Sequence, residues 1–374
     1  MTLRFLTAGE SHGPGLTVII EGLPAGLRLS RDDINPQMAR RQVGYGRSPR
    51  MKLETDQVEI VSGLMGGETI GAPVTLRIEN RDVRIDEPPL TRPRPGHADL
   101  AGTMKYGFAD VRRALERASA RETAARVAAG AVSQTFLAEF GLTVFSHVVE
   151  IGTVGIRTRP SRWEEIPPLA EASDLRCVDE AAEVQMHAAI EAAKKAGDTL
   201  GGVFEVVALG VPPGLGSYAH WDRKLDGRLA QAVMSIHAVK GVEIGSGFEV
   251  ARTPGSLAHD EIHYSAERGY YRQTNRAGGM EGGVTNGEPV VIRGAMKPLS
   301  TLMEPLLSVD LATKEPSRGA VVRSDVCAVP AAGVVGEAMV AVVLADALLE
   351  KFGGDAMSDI RTAFTAYQAR IRAM

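Results

Sequence analysis

Apolar and polar positions along the chain alternate between two periods. Leu3–Thr7 and Leu16–Glu21 carry strand-forming residues around a turn at Gly9–Gly15, so two short strands joined by a hinge are expected. Ser30 then opens a helical stretch to about Val43, with Asp32 and Asp33 in the first turn, where the helix dipole favours acids. Strands are expected at Val58–Ser62, Val74–Glu79, Val203–Leu209, Val242–Ile244, Val290–Ile292 and Ala320–Val322. The strongest helical pattern runs from about Tyr106 to Phe140, rich in Ala, Arg, Glu and Leu, and stops at Gly141. Further helices are expected at Glu180–Ala196, Asp222–Ala238, Gly336–Phe352 and Ala356–Ala373. Strands and helices interleave throughout, which predicts a mixed α/β fold. Arg159–Asp174, with Pro160, Pro167 and Pro168, is the best linker candidate. Its flanks are alike, so it reads as an exposed loop within one large domain spanning residues 1–374.

Composition narrows the function. The chain holds 374 residues, 44% hydrophobic, enough for a sizeable core. Its 41 glycines exceed the usual share of about 7% without any collagen-like period, so the surplus must sit in particular loops. A net charge of −4 argues against a nucleic-acid binder. Two cysteines and no signal-like or membrane-length apolar run point to a cytoplasmic protein with no membrane partner.

Several loops carry candidate chemistry. Arg40–Lys52 holds Arg40, Arg41, Arg47, Arg50 and Lys52 with no acid. A solvated basic loop is one reading; a loop that presents guanidinium forks to a small polyanion is the other. An RNA-binding reading lacks aromatics beyond Tyr45 and conflicts with a pI of 6.1. His12 lies in the Gly9–Gly13 turn, and His97 follows the stiff Arg92–Gly96 segment; both imidazoles suit proton transfer near neutrality. Arg113, Arg117 and Arg121 recur at helical spacing. A solvent face paired with Glu116 and Glu122 and a ligand-facing stripe among Ala118, Ser119 and Ala120 both fit. Asn275–Gly287 holds five glycines but matches neither a Walker loop nor a dinucleotide fingerprint. Lys297–Thr301 offers a lysine and two hydroxyls for phosphate, and Arg323 and Asp325 pair a cation with a carboxylate. His259 and His263 lack the neighbouring glutamate of a zincin motif, so no metal site is expected.

Taken together, GESHG at Gly9–Gly13, Arg40–Arg50, RPGHAD at Arg94–Asp99, RASARET at Arg117–Thr123, VKGVEIG at Val239–Gly245, Ala277–Gly287, Lys297–Thr301 and RSDVCAVP at Arg323–Pro330 closely resemble the chorismate synthase family. The resemblance implies a β-α-β-α sandwich core and a homotetramer. It also implies anti-1,4-elimination of phosphate from 5-enolpyruvylshikimate 3-phosphate, dependent on reduced FMN without net redox change. By the same resemblance, Ser11, Arg41, Arg47, Arg94, Arg121 and Arg323 bind substrate. FMN falls to Arg117, Ala118, Ser119, His237, Ala238, Gly282, Lys297, Pro298, Leu299, Ser300, Thr301 and Arg323. Arg41 and Arg47 also resemble positions associated with NADPH. His12 resembles a general acid beside the leaving phosphate, His97 the group that protonates reduced flavin, and Asp325 a carboxylate assisting proton abstraction. At His237 many relatives carry Asn or Gln, so the contact there becomes one with a titratable group. No large insertion suggests a built-in reductase, so an external flavin reductase is the expected source of reduced flavin. The reading kept beside the enzyme is a non-catalytic flavin- or nucleotide-binding protein.

Overall fold

The computed structural model describes residues 2–47, 54–84, 87–322 and 325–374. In chain order the elements that build the site are β1 (Arg4–Ala8), β2 (Gly15–Glu21), α1 (Arg31–Gln42), β3 (Val58–Ser62), β4 (Val74–Glu79), α2 (Asp99–Tyr106), α3 (Arg112–Ala118) and α4 (Thr123–Ala138). Then come β5 (Thr143–Ile151), β6 (Val154–Gly155), α5 (Ile166–Ala172), α6 (Glu180–Lys195), β7 (Gly202–Leu209), α7 (Leu225–Met234), β8 (Val239–Ile244), β9 (Val290–Met296), α8 (Val329–Phe352) and α9 (Met357–Arg372).

Two antiparallel sheets enclose the helical core. The first has the order β1-β2-β4-β3 and turns Leu16, Val18, Ile20, Val74, Leu76 and Ile78 inward onto α4. The alternation of buried and open residues along β2 and β4 is what one covered face requires. The second sheet, β8-β9-β7-β5-β6, packs on α8. Helices α4 and α8 lie against each other between the sheets. An added Cβ on Gly130 would stand 2.2 Å from that of Ala338, so only glycine permits this approach. On its far face the second sheet carries Phe145, Val207 and Val291 against Ile166 of α5. The layers therefore run sheet, helices, sheet, helix, the β-α-β-α sandwich expected. Helix α8 is apolar enough by length and composition to cross a bilayer, with a mean hydropathy of 2.0 over its best window. Yet 89% of that window is buried inside the protein, as suits a core helix.

Several sequence expectations change. The long helix is three pieces: α3, a 3₁₀ turn at Ala120–Glu122, and α4, with Ser119 extended between them and its Oγ accepting from the Arg121 N–H. Arg113, Arg117 and Arg121 therefore share no helix face. Arg159–Asp174 is not wholly loop, because Pro167 and Pro168 sit in the first turn of α5, where proline costs no hydrogen bond. Ala320–Val322 forms no strand, and β5 was not foreseen. The glycine-rich Asn275–Gly287 folds as a small hairpin, Met280–Glu281 against Val284–Thr285.

Candidate active site

One cavity of about 420 Å³ opens between the first sheet's turns and the start of α8. That is within the range of small-molecule sites, about 300–1,000 Å³. It gathers Ser11, His12, Arg41, Arg47, Arg94, His97, Ala118, Ser119, Arg121, His237, Ala238, Lys297, Leu299, Ser300, Thr301 and Asp325. These residues come from seven separated stretches of sequence. Arg117, Gly282 and Pro298 are not in its wall. Arg117 instead donates to the carbonyls of Thr7 and Gly9, bracing the β1–β2 turn from outside. Gly282 lies in the Met280–Thr285 hairpin, where its φ of 64° serves the turn. Arg323, with Arg50 and Lys52, falls outside the described residues.

The turn carrying His12 is fixed from below. Asn80 Nδ2 donates to the carbonyls of Glu10 and Gly13 at 3.1 and 2.8 Å. Glu116 receives the His12 backbone N–H at 2.7 Å and sits 2.8 Å from His12 Nδ1. Glu116, expected as a solvent partner of arginines, is thus buried and serves His12. On the other side of the ring, Asp82 Oδ2 lies 4.0 Å from Nε2. Ser119 Oγ donates to Ser11 Oγ at 3.1 Å, which ties the break in the helix to the same turn.

His97 is held by Asp99, the fully buried first residue of α2. Asp99 also takes Arg94 through Nε at 2.8 Å and Nη2 at 3.1 Å. Arg94 Nη1 continues to Thr301 Oγ1 at 2.8 Å. Gly96, at φ 79°, brings this segment against Ser300, whose Oγ accepts from Lys297 Nζ at 3.0 Å. Burial, reinforced by Lys240, lowers the Lys297 ammonium below its ordinary range.

A third cluster centres on Asp56, which bridges Arg41 and Arg121. Burial alone would raise the Asp56 carboxyl; the two arginines hold it below the usual range. Arg121 Nε also donates to Asn80 Oδ1 at 2.8 Å. Arg47 Nε stands 3.2 Å from Asp325 Oδ2. Against these polar groups lies an apolar wall of Ile236, Leu299, Ala328, Ala331, Ala332 and Val335.

His237 enters that wall from the tight turn between α7 and β8. Burial pushes its imidazole down to about 4, against the pull of Glu122, so the ring is neutral at pH 7. Its buried Nδ1, 4.0 Å from Glu122 Oε2, makes no hydrogen bond among the described residues. The cysteines take no part: both are buried, and burial pushes the Cys327 thiol up to about 11.

The sequence did not single out Asp56, Asn80, Asp82 or the role of Glu116, and it quoted Asp99 only within a motif. For Asp99 the available signal was its place two residues from His97.

Comparison with known proteins agrees with this arrangement. A family model described as chorismate synthase matches residues 3–349. The chorismate synthase of Geobacter sulfurreducens is 56% identical over 391 aligned residues, covering 99% of this chain and all of the relative. That of Moorella thermoacetica is 58% identical, covering 98% of each chain. A solved structure titled "Crystal Structure of Chorismate Synthase" superposes with a TM-score of 0.84 at 47% identity, covering 100% of this chain and 99% of that one. The chain therefore belongs to the chorismate synthase family, lyases of the shikimate pathway of aromatic biosynthesis.

Proposed function

We propose that this cavity binds reduced FMN together with 5-enolpyruvylshikimate 3-phosphate and eliminates phosphate from it to give chorismate. The observation that carries this reading is the joining of Arg41, Arg47, Arg94 and Arg121 with His12, His97 and Asp325 around one cavity that has an apolar wall. The substrate carries two carboxylates and a phosphate, and arginine forks match such oxygens in pairs. A non-catalytic flavin binder has no need of the three proton-handling side chains beside them.

The residues fit a flavin. Lys297, Ser300 and Thr301 supply a cation and hydroxyls for its phosphate, the alanine-rich wall suits a flat ring, and neutral His237, whose Nδ1 makes no hydrogen bond among the described residues, offers it a polar contact. Held by these residues, reduced FMN would supply transient electron density to the substrate, with no net redox change. The chain's own part is position and proton traffic. Arg41, Arg94 and Arg121, already oriented by Asp56 and Asp99, hold the anionic groups. His12 gives its proton to the leaving phosphate, His97 holds the proton exchanged with the flavin, and Asp325 assists removal of the substrate proton.

Arg41 and Arg47 are enclosed and paired with Asp56 and Asp325, which suits a small anion better than a whole dinucleotide. NADPH then acts through an external flavin reductase. Assembly as a homotetramer is supported by apolar side chains left open on the outer face of the first sheet, such as the paired Leu6 and Ile19. The two unpaired cysteines support a cytoplasmic enzyme. The test is anaerobic turnover on prereduced FMN, following phosphate and chorismate together. Equal release of both, absent without reduced FMN, is expected; no phosphate release would overturn the reading. Turnover with NADPH and oxidised FMN alone would overturn external reduction.

A further inference from the structure

Both proton-handling histidines hang from a buried carboxylate, and the two attachments share one design. At His12, Glu116 Oε2 accepts from the backbone N–H at 2.7 Å, and Oε1 lies 2.8 Å from ring Nδ1. At His97, Asp99 Oδ1 lies 2.5 Å from Nδ1, while Oδ2 accepts from the backbone N–H and Nε of Arg94 at 3.0 and 2.8 Å. In each pair one carboxylate oxygen thus takes a backbone donor and the other the imidazole, Asp99 Oδ1 taking Arg94 Nη2 at 3.1 Å as well. Burial alone would raise both carboxyls. The hydrogen bonds from His12 to Glu116, and from His97 and Arg94 to Asp99, outweigh it and hold both below the usual range. Each is ionised at neutral pH and can only accept, so each neutral imidazole must carry its hydrogen on Nδ1.

We propose that Glu116 and Asp99 are positioning residues that lock His12 and His97 in the Nδ1–H tautomer, leaving Nε2 as the nitrogen whose proton changes during the reaction. The inference deepens, and rests on, the roles given to the two histidines above. It assigns a task to two acids that stand behind the cavity wall.

The geometry also says what an amide would do. A backbone N–H only donates, so in Glu116→Gln the amide oxygen must occupy the Oε2 place and the NH₂ must face Nδ1. The imidazole then has to accept there, and its hydrogen moves to Nε2. In Asp99→Asn the backbone N–H and Nε of Arg94 hold the oxygen at the Oδ2 place, and the NH₂ faces His97 with the same result, at the loss of the Arg94 Nη2 bond to Oδ1. Each change keeps shape and inverts the tautomer. In the Ser-His-Asp triad, a carboxylate-to-amide change of this kind costs about 10⁴-fold in turnover with the geometry intact.

The experiment uses the full chain with ¹⁵N-labelled histidine. Ring nitrogen shifts are read by NMR without flavin, at a pH where the imidazoles are neutral, and turnover is measured anaerobically with reduced FMN. Wild type is expected to show Nδ1–H at both histidines. Each amide variant should move its own histidine to Nε2–H, leave the other unchanged, and lower kcat by about 10²-fold or more. KM should change far less. Nε2–H at either histidine in wild type would overturn the proposal, and this spectrum decides even if an amide variant fails to fold. An inverted tautomer with wild-type kcat would overturn it as well. Full turnover in His12→Ala or His97→Ala would instead sink that histidine's role, a failure visible without any amide variant.

Discussion

Arg40 and Arg41 are neighbours on α1, yet they end in buried charge clusters of opposite character. Arg40 points to Glu337 at 2.7 and 2.9 Å and to Glu171 at 2.5 and 2.8 Å. Arg176 joins the same two acids, and Ser146 Oγ donates to Glu337 at 2.6 Å. Burial would lower the Arg40 guanidinium, but Glu337 and Glu171 outweigh it and raise it. Two arginines meet two acids, and α1, α5 and α8 are pinned together. Arg41 instead shares Asp56 with Arg121, and its buried Nε makes no hydrogen bond among the described residues. Burial, opposed by Asp56 and reinforced by Arg121 and Arg47, lowers its guanidinium below the ordinary range. The first cluster is balanced and belongs to the scaffold. The second, where Glu54 also lies 3.7 Å from Arg121 and Asp325 3.2 Å from Arg47, differs in that its three arginines line the cavity, where they can take an anion. Buried arginine is not in itself the mark of a site; a place in the cavity wall is.

That contrast can be broken at several points. Largest is the effect expected at the histidines. His12→Ala or His97→Ala should lower anaerobic turnover by about 10²–10⁴-fold while the circular dichroism spectrum and Tm stay near wild type. A comparable loss of stability would move these residues into the scaffold class. Next comes Arg40→Ala, which leaves fully buried Glu337 with Arg176 as its remaining cation. About 3–5 kcal/mol of unfolding free energy should be lost in urea titrations, with KM for substrate in the folded fraction unchanged. A selective rise in KM would show that the balanced cluster serves the ligand after all.

Smallest is a pH effect at His237. Its folded value near 4 lies below the ordinary 6.5, so the unfolded chain takes up the proton first. The contribution is complete above about pH 6.5 and is lost as pH falls towards 4. At about 1.4 kcal/mol per unit, His237→Asn should therefore remove about 2 kcal/mol of the stability lost between pH 6.5 and 5. An unchanged pH profile would place the ring in water rather than in the cavity wall.

The sequence carried some of this and hid the rest. Helix α1 is framed by local chemistry, since Ser30 and Asp33 form a reciprocal cap, and its bounds were readable. The break at Ser119 was not readable, because Ala, Arg and Glu all favour a continuous helix. Tertiary contacts, Ser119 with Ser11 and Glu116 with His12, override that preference. Strand β5 escaped because it is covered on both faces and carries Ser146, His147 and Glu150, so neither alternation nor an apolar run marks it. In the site, histidines and arginines between glycines and prolines were visible as motifs. Their acidic partners were not, because Asp56 and Glu116 lie 15 and 104 residues from Arg41 and His12 in the chain.

The most direct measurement is steady-state kinetics of Arg41→Met under anaerobic conditions with saturating reduced FMN, beside its Tm. Loss of one charge-assisted contact to the substrate, worth about 1.5–3 kcal/mol, predicts a KM raised at least about tenfold, with Tm falling less than in Arg40→Ala because methionine fills the arginine's space and Asp56 keeps Arg121. An unchanged KM, or a Tm that falls as far as in Arg40→Ala, would contradict the assignment of Arg41 to the ligand.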